Sequence, residues 1–176
     1  MKRDINSNGY IFLYSTMMVV IVAVLLTATS LWLQPYQQRN KENEKRIKIL
    51  EAAGVSENGK ITFVEGELPL YLVNDSISVI PLQGKGLWGP IWGYVAIAPD
   101  GKTIVGANFD HKSETPGLGG EITTEKFQNQ FKGKQIASEG DYIPVEFDAI
   151  TGATKTSNGI KEMIDNTMKL YYWHEP

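Results

Sequence analysis

The chain has 176 residues, with 17 Lys and Arg against 20 Asp and Glu, two His and no Cys. Without cysteine it cannot hold an iron–sulfur cluster, a thiolate zinc site or a disulfide framework. Its net charge of -3 argues against nucleic-acid binding, which requires an excess of Lys and Arg. With so few histidines we also expect no metal site, so any chemistry must use oxygen side chains or a bound cofactor.

The N-terminal part of the chain contains a long uncharged stretch. No charged residue occurs between Asp4 and Arg39, and residues 10–33 are almost entirely apolar. At about 1.5 Å per residue this segment extends roughly 36 Å as a helix, enough to cross a bilayer. We therefore predict a transmembrane helix over residues 10–33 after a cytoplasmic tail over residues 1–9; a cleaved signal peptide is the alternative. Aromatic residues suited to membrane interfaces stand near its two ends: Tyr10, Tyr14, Trp32 and Tyr36.

A juxtamembrane helix is predicted over residues 34–55. The segment follows the end of the apolar run at Pro35, is rich in helix formers and reaches a typical stop at Gly54. Its basic residues either contact lipid head groups or face solvent. Counted by the positive-inside rule, they would place the following domain in the cytoplasm. They are Arg39, Lys41, Lys45, Arg46 and Lys48.

Residues 56–176 alternate strand-like runs, turn signals and helical patterns. Four strands are predicted as two neighbouring pairs, each pair joined by a turn signal, and two helices follow them. The fold class is therefore α+β: one N-terminal transmembrane helix, then a domain with an antiparallel or mixed sheet packed by helices. The predicted strands are Leu70–Val73, Ile77–Ile80, Trp92–Ala98 and Thr103–Phe109; the helices are Thr123–Phe131 and one with a buried stripe that starts at Ile160.

Two glycine-rich motifs stand out in this domain. The first, GKGLWGPIWGY at Gly84–Tyr94, is either a wall for a planar aromatic ligand or a tight loop whose tryptophans plug the core. The second, DHKSETPGLGGE at Asp110–Glu121, can shape its backbone closely around a ligand. Within it, Glu114 can accept N–H donors from the turn or from a ligand. A metal or proton-handling role for His111 with Glu114 is disfavoured, because a lone histidine in a turn usually serves as a hydrogen-bonding residue.

The third motif, DAITGATKTSN at Asp148–Asn158, precedes the C-terminal helix. It places four hydroxyl residues among small ones, whereas capping of a helix requires only one or two. A helix N-terminus offers free amides and partial positive charge, which suit a phosphate group. The spacing therefore favours a phosphate that lies at the start of the helix, against Thr154 or Thr156.

Residues 148–154, DAITGAT, resemble the D-x-x-S/T-G-A-T signature that bacterial flavin transferases read. In proteins with that signature, the final threonine is joined to FMN by a phosphoester bond, which corresponds to Thr154 here. Together with GLWGPIWGY and ETPGLGGEI upstream, the motif resembles the NqrC family over residues 80–160. Members of that family are the FMN-carrying subunits of the Na⁺-translocating NADH:quinone reductase. The alternative is the related flavin-carrying G component of the Rnf ion-pumping complex, which shares E-T-P-G-L-G and S/T-G-A-T.

The resemblance implies a cofactor site without catalytic or metal-binding residues. The covalent FMN would be attached to Thr154, and its ring would pack against the first motif or the Thr115–Gly119 turn. The implied site residues are Leu87, Trp88, Glu114, Thr115, Gly117, Leu118, Gly119, Thr151, Gly152, Ala153, Thr154 and Thr156.

The same resemblance implies an electron relay without catalysis of its own, inside a membrane complex that transfers electrons from NADH to ubiquinone and translocates Na⁺. The implied partners are the other members of that complex, membrane lipid and a Mg²⁺-dependent flavin transferase that uses FAD. The implied location is the bacterial inner membrane, as a single-pass protein with its flavin domain in the periplasm. Two other classes remain open: a non-redox anchored module that binds a sugar or peptide, and an anchored hydrolase that uses a threonine or His111 and Glu114.

Overall fold

The computed structural model describes residues 8–138 and 141–173. Residues 1–7, 139–140 and 174–176 lie outside the described residues, and most of the predicted cytoplasmic tail falls among them. The chain divides into two compact units, Met1–Glu44 and Lys45–Pro176.

A single α-helix, α1 (Asn8–Ala52), covers both helical segments predicted from the sequence. It includes Pro35, where the sequence suggested a division. The helix continues because strong helix formers follow the proline, which removes one backbone donor without ending the helix. By length and composition α1 can cross a membrane. Three hydroxyls within it bond back to helix carbonyls, as membrane helices permit: Ser15 to Ile11 (2.7 Å), Thr27 to Ala23 (2.8 Å) and Thr29 to Leu25 (2.9 Å).

A five-stranded antiparallel sheet forms the centre of the second unit, with its strands in sequence order. This architecture confirms the predicted fold class, with an antiparallel rather than a mixed sheet. All four predicted strands are present, while the first strand was missed. The strands are β1 (Ile61–Val64), β2 (Leu70–Val73), β3 (Ile77–Lys85), β4 (Pro90–Ile97) and β5 (Ile104–His111); a small second sheet pairs β6 (Ala137–Ser138) with β7 (Asp141–Tyr142).

The two faces of the main sheet are buried against different helices. Val79 and Ala96 are paired across β3 and β4 and belong to a cluster with the last turn of α1, including Ile49. Their neighbours Ile80 and Val95, also paired, belong to the other cluster, since successive strand residues point to opposite faces. The C-terminal helix, α2 (Thr154–Trp173), packs on that second face. Of its predicted stripe, Ile160, Met163, Ile164 and Met168 are buried, while Thr167 and Tyr171 are partly buried.

The helix predicted over residues 123–131 is divided into shorter pieces. A 3-10 turn over Gly119–Thr123 is followed by one α-helical turn over Glu125–Gln128 and a 3-10 turn over Asn129–Phe131. Thr124 caps the α-helical turn by accepting from the Phe127 amide at 3.4 Å. Phe127 and Phe131 are buried on one face as predicted, since residues four apart lie on the same side of a helix.

Candidate functional site

The first glycine-rich motif forms a tight turn between β3 and β4. Lys85 pairs with Pro90, and the Gly86 amide donates to the Gly89 carbonyl at 2.8 Å. Leu87 and Trp88 stand at the tip of this turn, 43% and 68% exposed. Trp88 therefore does not plug the core, and its large flat side chain is available to a ligand.

The second motif continues from β5 as a turn around Gly117. This glycine has φ of +75°, a conformation that side chains disfavour, and the Leu118 and Gly120 amides both donate to the Thr115 carbonyl. The amides of Leu118 and Gly120 are thus used within the turn and are not available to a ligand. Leu118 remains 41% exposed, whereas Glu114 is only 4% exposed. The turn consequently presents an apolar side chain to solvent and keeps its carboxylate inside.

The third motif leads directly into α2, whose first residue is Thr154. Thr154 is exposed, while Ala153 and Thr156 are buried. Ser157 fastens the turn, because its hydroxyl accepts from the Ile150 amide at 3.0 Å and donates to the Ala153 carbonyl at 3.1 Å. Neither the Thr154 nor the Thr151 hydroxyl makes a hydrogen bond to the part of the chain that the structure describes. Capping therefore does not explain these two threonines.

A buried carboxylate brings the three motifs together. Oε1 of Glu114 accepts from the Trp88 amide at 2.8 Å, and Oε2 accepts from the Thr156 hydroxyl at 2.6 Å. Glu114 thereby joins segments that lie 26 and 42 residues away in the sequence. We call Glu114, Trp88 and Thr156 the Glu114 bridge.

A second contact joins the turn around Gly117 to the third motif. Gly152 has φ of +78°, and a Cβ placed on it would lie 3.0 Å from Cδ2 of Leu118. These contacts join all three motifs, and the predicted site residues comprise exposed and buried members. The exposed members are Leu87, Trp88, Thr115, Gly117, Leu118, Thr151, Gly152 and Thr154, and the buried members are Glu114, Gly119, Ala153 and Thr156.

His111 and Glu114 do not face one another as an acid–base pair. The His111 ring accepts, through Nδ1, from the backbone amide of Glu114 at 3.1 Å. The Glu114 carboxylate is instead occupied by the Trp88 amide and the Thr156 hydroxyl. Among residues 8–138 and 141–173, no three potential metal-ligating side chains are grouped. The geometry thus does not support a hydrolase that uses His111 with Glu114 as an acid–base pair.

Sequence reasoning missed one residue that contacts the third motif. Oε1 of Gln130 accepts from the Asp148 amide at 2.8 Å, and its Nε2 donates to the Asp148 carbonyl at 3.4 Å. An open cleft of about 520 Å³ lies beside this contact, between Lys134 and Lys161. No sequence motif predicts this contact, because Gln130 and Asp148 are 18 residues apart and meet only in the folded chain.

The start of α2 is suited to a phosphoryl group. The amides of Thr154, Lys155 and Thr156 belong to the first turn, where no preceding helical carbonyl is available. The partial positive charge of a helix N-terminus favours an anion there, and the exposed Thr154 hydroxyl stands at the same point. The residues present therefore fit a phosphate that is bound at, or bonded to, Thr154.

The chain is similar to one protein family and to several named proteins. A family model described as FMN-binding domain matches residues 86–169. The NqrC subunit of the Na⁺-translocating NADH-quinone reductase of Pasteurella multocida is 39% identical over 94 residues, covering 47% of this chain but only 36% of that relative. The protein of the same name from Vibrio anguillarum is 25% identical over 215 residues, covering 83% of this chain and 84% of the relative.

Two solved structures share the fold. The crystal structure of the NqrC subunit of the Na⁺-translocating NADH-quinone reductase from Parabacteroides distasonis has a TM-score of 0.66 at 30% identity, covering 82% of this chain and 98% of that one. The crystal structure of NqrC from Shewanella oneidensis has a TM-score of 0.62 at 22% identity, covering 78% and 100% respectively. The second likeness concerns the fold alone.

Proposed function

Because the chain belongs to the NqrC family of the Na⁺-translocating NADH-quinone reductase, we propose that it relays electrons through an FMN joined to Thr154 by a phosphoester. The observation that supports this most directly is the exposed Thr154 hydroxyl at the first residue of α2. Gly152, two residues before it, lies against Leu118, and the N-terminus of α2 favours a phosphate at this point. Thr156 is unsuited to attachment, because it is buried and bonded to Glu114.

The residues around Thr154 have separate roles in this proposal. Gly152 is exposed and lacks a side chain, so an attaching enzyme can reach the hydroxyl. The exposed side chains of Leu87, Trp88 and Leu118 provide apolar surface for a flat ring system. FMN, when bound, supplies the electron chemistry, and the chain supplies its position and electrostatic surroundings.

Attachment requires help from outside the chain, because a threonine hydroxyl is a weak nucleophile at neutral pH. We propose that a Mg²⁺-dependent flavin transferase uses FAD as the donor. The Thr154 oxygen forms a bond to the FMN phosphorus as the pyrophosphate linkage of FAD breaks. AMP leaves, and the hydroxyl proton passes to a base of the transferase. The product is a phosphodiester between FMN and Thr154.

We further propose that α1 anchors the chain once in the bacterial inner membrane, in contact with lipid and with the other subunits of an Na⁺-translocating NADH:ubiquinone reductase. The flavin domain would then face the periplasm. The basic residues after the apolar segment count less against this orientation than their number suggests. Arg46 donates to the Gly59 carbonyl at 2.9 Å, Lys48 bonds to Asp110, and the pKa of Lys45 is raised, first by a hydrogen bond with Tyr71. These three cations make contacts within the folded domain, so their positions do not report membrane orientation alone.

Covalent attachment is tested by co-expressing the full chain with a flavin transferase and measuring in-gel flavin fluorescence after denaturation in SDS. Wild type should fluoresce, and Thr154→Ala should lose the signal while keeping its thermal midpoint, because the removed hydroxyl is exposed. Thr151→Ser is the matched control, since it alters the other exposed threonine of the turn but keeps a hydroxyl that the signature allows at this position. Persistent fluorescence in Thr154→Ala would refute the assignment of the residue, and a colourless wild type would favour a non-redox binding module.

Orientation is tested by labelling, which the absence of native cysteine makes direct. Glu67→Cys introduces one thiol at an exposed position of the flavin domain. A membrane-impermeant maleimide should label it in intact spheroplasts as fully as in lysed ones. Labelling only after lysis would place the domain in the cytoplasm.

A further inference from the structure

We infer that Glu114 is a positioning residue for the bound FMN. It holds together the segments that would carry the flavin, and it places a buried negative charge beneath them. The inference rests on the proposed function, since it concerns the same surface. It assigns to Glu114 a role that acts through Trp88 and Thr156 rather than through direct contact with the cofactor.

Both carboxylate oxygens of Glu114 accept a hydrogen bond. The Trp88 amide and the Thr156 hydroxyl each donate to a different carboxylate oxygen, at 2.8 and 2.6 Å. Burial of a carboxylate is costly, and such charge-assisted hydrogen bonds offset part of the cost. An apolar side chain could fill the same space at lower cost, so packing alone does not account for a carboxylate here.

The surroundings of Glu114 leave its oxygens no room for a ligand. A Cβ added to Gly86 would lie 2.5 Å from Oε1, and one added to Gly119 would lie 2.4 Å from Oε2. Backbone therefore approaches the carboxylate closely from both of the glycine-rich motifs. Glu114 consequently influences a cofactor on the surface only through the segments it holds and through its charge.

The charge has a predictable effect on the flavin. Reduction adds electrons to the ring, so a nearby negative charge disfavours the reduced form and makes the midpoint potential more negative. The effect is stronger from a buried site, because electrostatic interactions are screened less there than in water. Glu114 lies 4% exposed under the surface formed by Trp88 and the start of α2.

Two substitutions separate the charge from the hydrogen bonds. Glu114→Gln keeps both bonds available, since the amide can accept from Trp88 and donate to the Thr156 oxygen, but it removes the charge. Thr156→Val keeps the charge and removes one of the two bonds. Thr156→Ser retains a hydroxyl and serves as the matched control.

The experiment uses the full chain, flavinylated in the cell and purified in detergent. All three variants should carry FMN on Thr154. We expect Glu114→Gln to shift the midpoint potential of the flavin in the positive direction, with fluorescence anisotropy close to that of wild type. Thr156→Val should lower the anisotropy, because the ring-bearing surface is held less firmly, and Thr156→Ser should match wild type in both measurements.

The outcomes are distinguishable. An unchanged potential in folded, flavinylated Glu114→Gln would overturn the role of the charge. Wild-type anisotropy in Thr156→Val would overturn the role of the bridge, and this variant decides that question even if Glu114→Gln fails to fold. A wild-type chain without covalent FMN would instead refute the proposed function, and this inference with it.

Discussion

The turns at the two ends of strand β4 are stabilised by different kinds of hydrogen bond. After its last residue, Asp100 closes a local turn: Oδ1 accepts from the Lys102 and Thr103 amides at 2.8 and 2.9 Å. Before its first residue, the Trp88 amide reaches Glu114, which in turn accepts from Thr156. The Asp100 carboxylate uses partners within three residues, whereas the Glu114 carboxylate joins partners 26 and 42 residues away.

This contrast shows why the candidate site lies at one end of the sheet only. The Asp100 carboxylate stabilises its turn through local partners. The contacts of that turn with the rest of the chain, from the Tyr172 hydroxyl to the Gly101 carbonyl and from the Ile136 amide to the Lys102 carbonyl, involve none of the three motifs. At the other end, three segments are joined by the Glu114 bridge, and each of them carries exposed predicted site residues. We therefore expect substitutions at this second end to have larger effects, because they disturb several segments together.

The largest effect is expected from Phe131→Ala. Phe131 is fully buried, and its ring lies 5.0 Å from that of Phe109 and 4.9 Å from that of Phe147, which immediately precedes the third motif. Loss of such a ring costs about 3–5 kcal/mol of unfolding free energy. Denaturant unfolding of the full chain in detergent measures the loss. Phe63→Ala is the control, because Phe63 is 52% exposed on β1 and should cost under about 1 kcal/mol; similar losses for both would contradict the packing described.

Gly159→Ala tests how closely α2 approaches the sheet at the same end. A Cβ at Gly159 would lie 2.3 Å from the Lys85 carbonyl oxygen, and backbone cannot move aside as a flexible side chain can. Overpacking of this kind costs about 1–3 kcal/mol, despite the better helix propensity of alanine. Asn158→Ala, at the exposed neighbouring position, should change the thermal midpoint little. A Gly159→Ala chain as stable as wild type would show that α2 is not held against β3.

Glycine to alanine can be tested near each end of β4, at one glycine in each case. Gly101 and Gly152 have φ of +68° and +78°, so alanine strains either turn, by about 1–2 kcal/mol. A Cβ on Gly101 meets nothing within 4 Å, whereas one on Gly152 meets Leu118 at 3.0 Å. Both variants should lose stability, but only Gly152→Ala should also reduce the in-gel flavin signal. Equal flavin signals in the two would contradict the role of the Gly152 contact.

The same contrast explains what the sequence could predict. The Pro99–Gly101 turn and the strand pairs were foreseen because their signals are local: turn residues between apolar runs. The stripe of α2 was foreseen because its periodicity is contained in one helix. β1 was missed, since its residues are mostly exposed and show no buried alternation.

The members of the candidate site were foreseen through resemblance, while their arrangement was not. Glu114 was predicted to accept N–H donors from its own turn or from a ligand, whereas it accepts from the Trp88 amide of the first motif and from the Thr156 hydroxyl, and both bonds required the fold. Gln130 was overlooked for the same reason, because its partner Asp148 lies 18 residues away. Long-range hydrogen bonds leave no trace in residue spacing, so a sequence can name the participants without revealing which of them meet.

The smallest effect is expected at the turn after β4, from the titration of Asp100. A hydrogen bond from the Thr103 hydroxyl, at 2.6 Å, is the main cause that lowers the pKa of Asp100 below its usual value, and the Lys102 and Thr103 amides add to it. Because the pKa is lower in the folded state, the ionised carboxylate stabilises the fold above the unfolded-state pKa. That contribution disappears as the pH falls through the folded-state pKa.

Carboxyl NMR of the full chain in detergent should therefore show Asp100 titrating below an ordinary aspartate, and Thr103→Val should raise its pKa again. Since Asp100 is fully exposed, the change in stability should be slight and confined to acid. The flavin signal should remain that of wild type throughout, because no partner of Asp100 belongs to the Glu114 bridge. A loss of flavin in Thr103→Val would mean that the two ends of β4 are coupled, contrary to the independence that their hydrogen bonds imply.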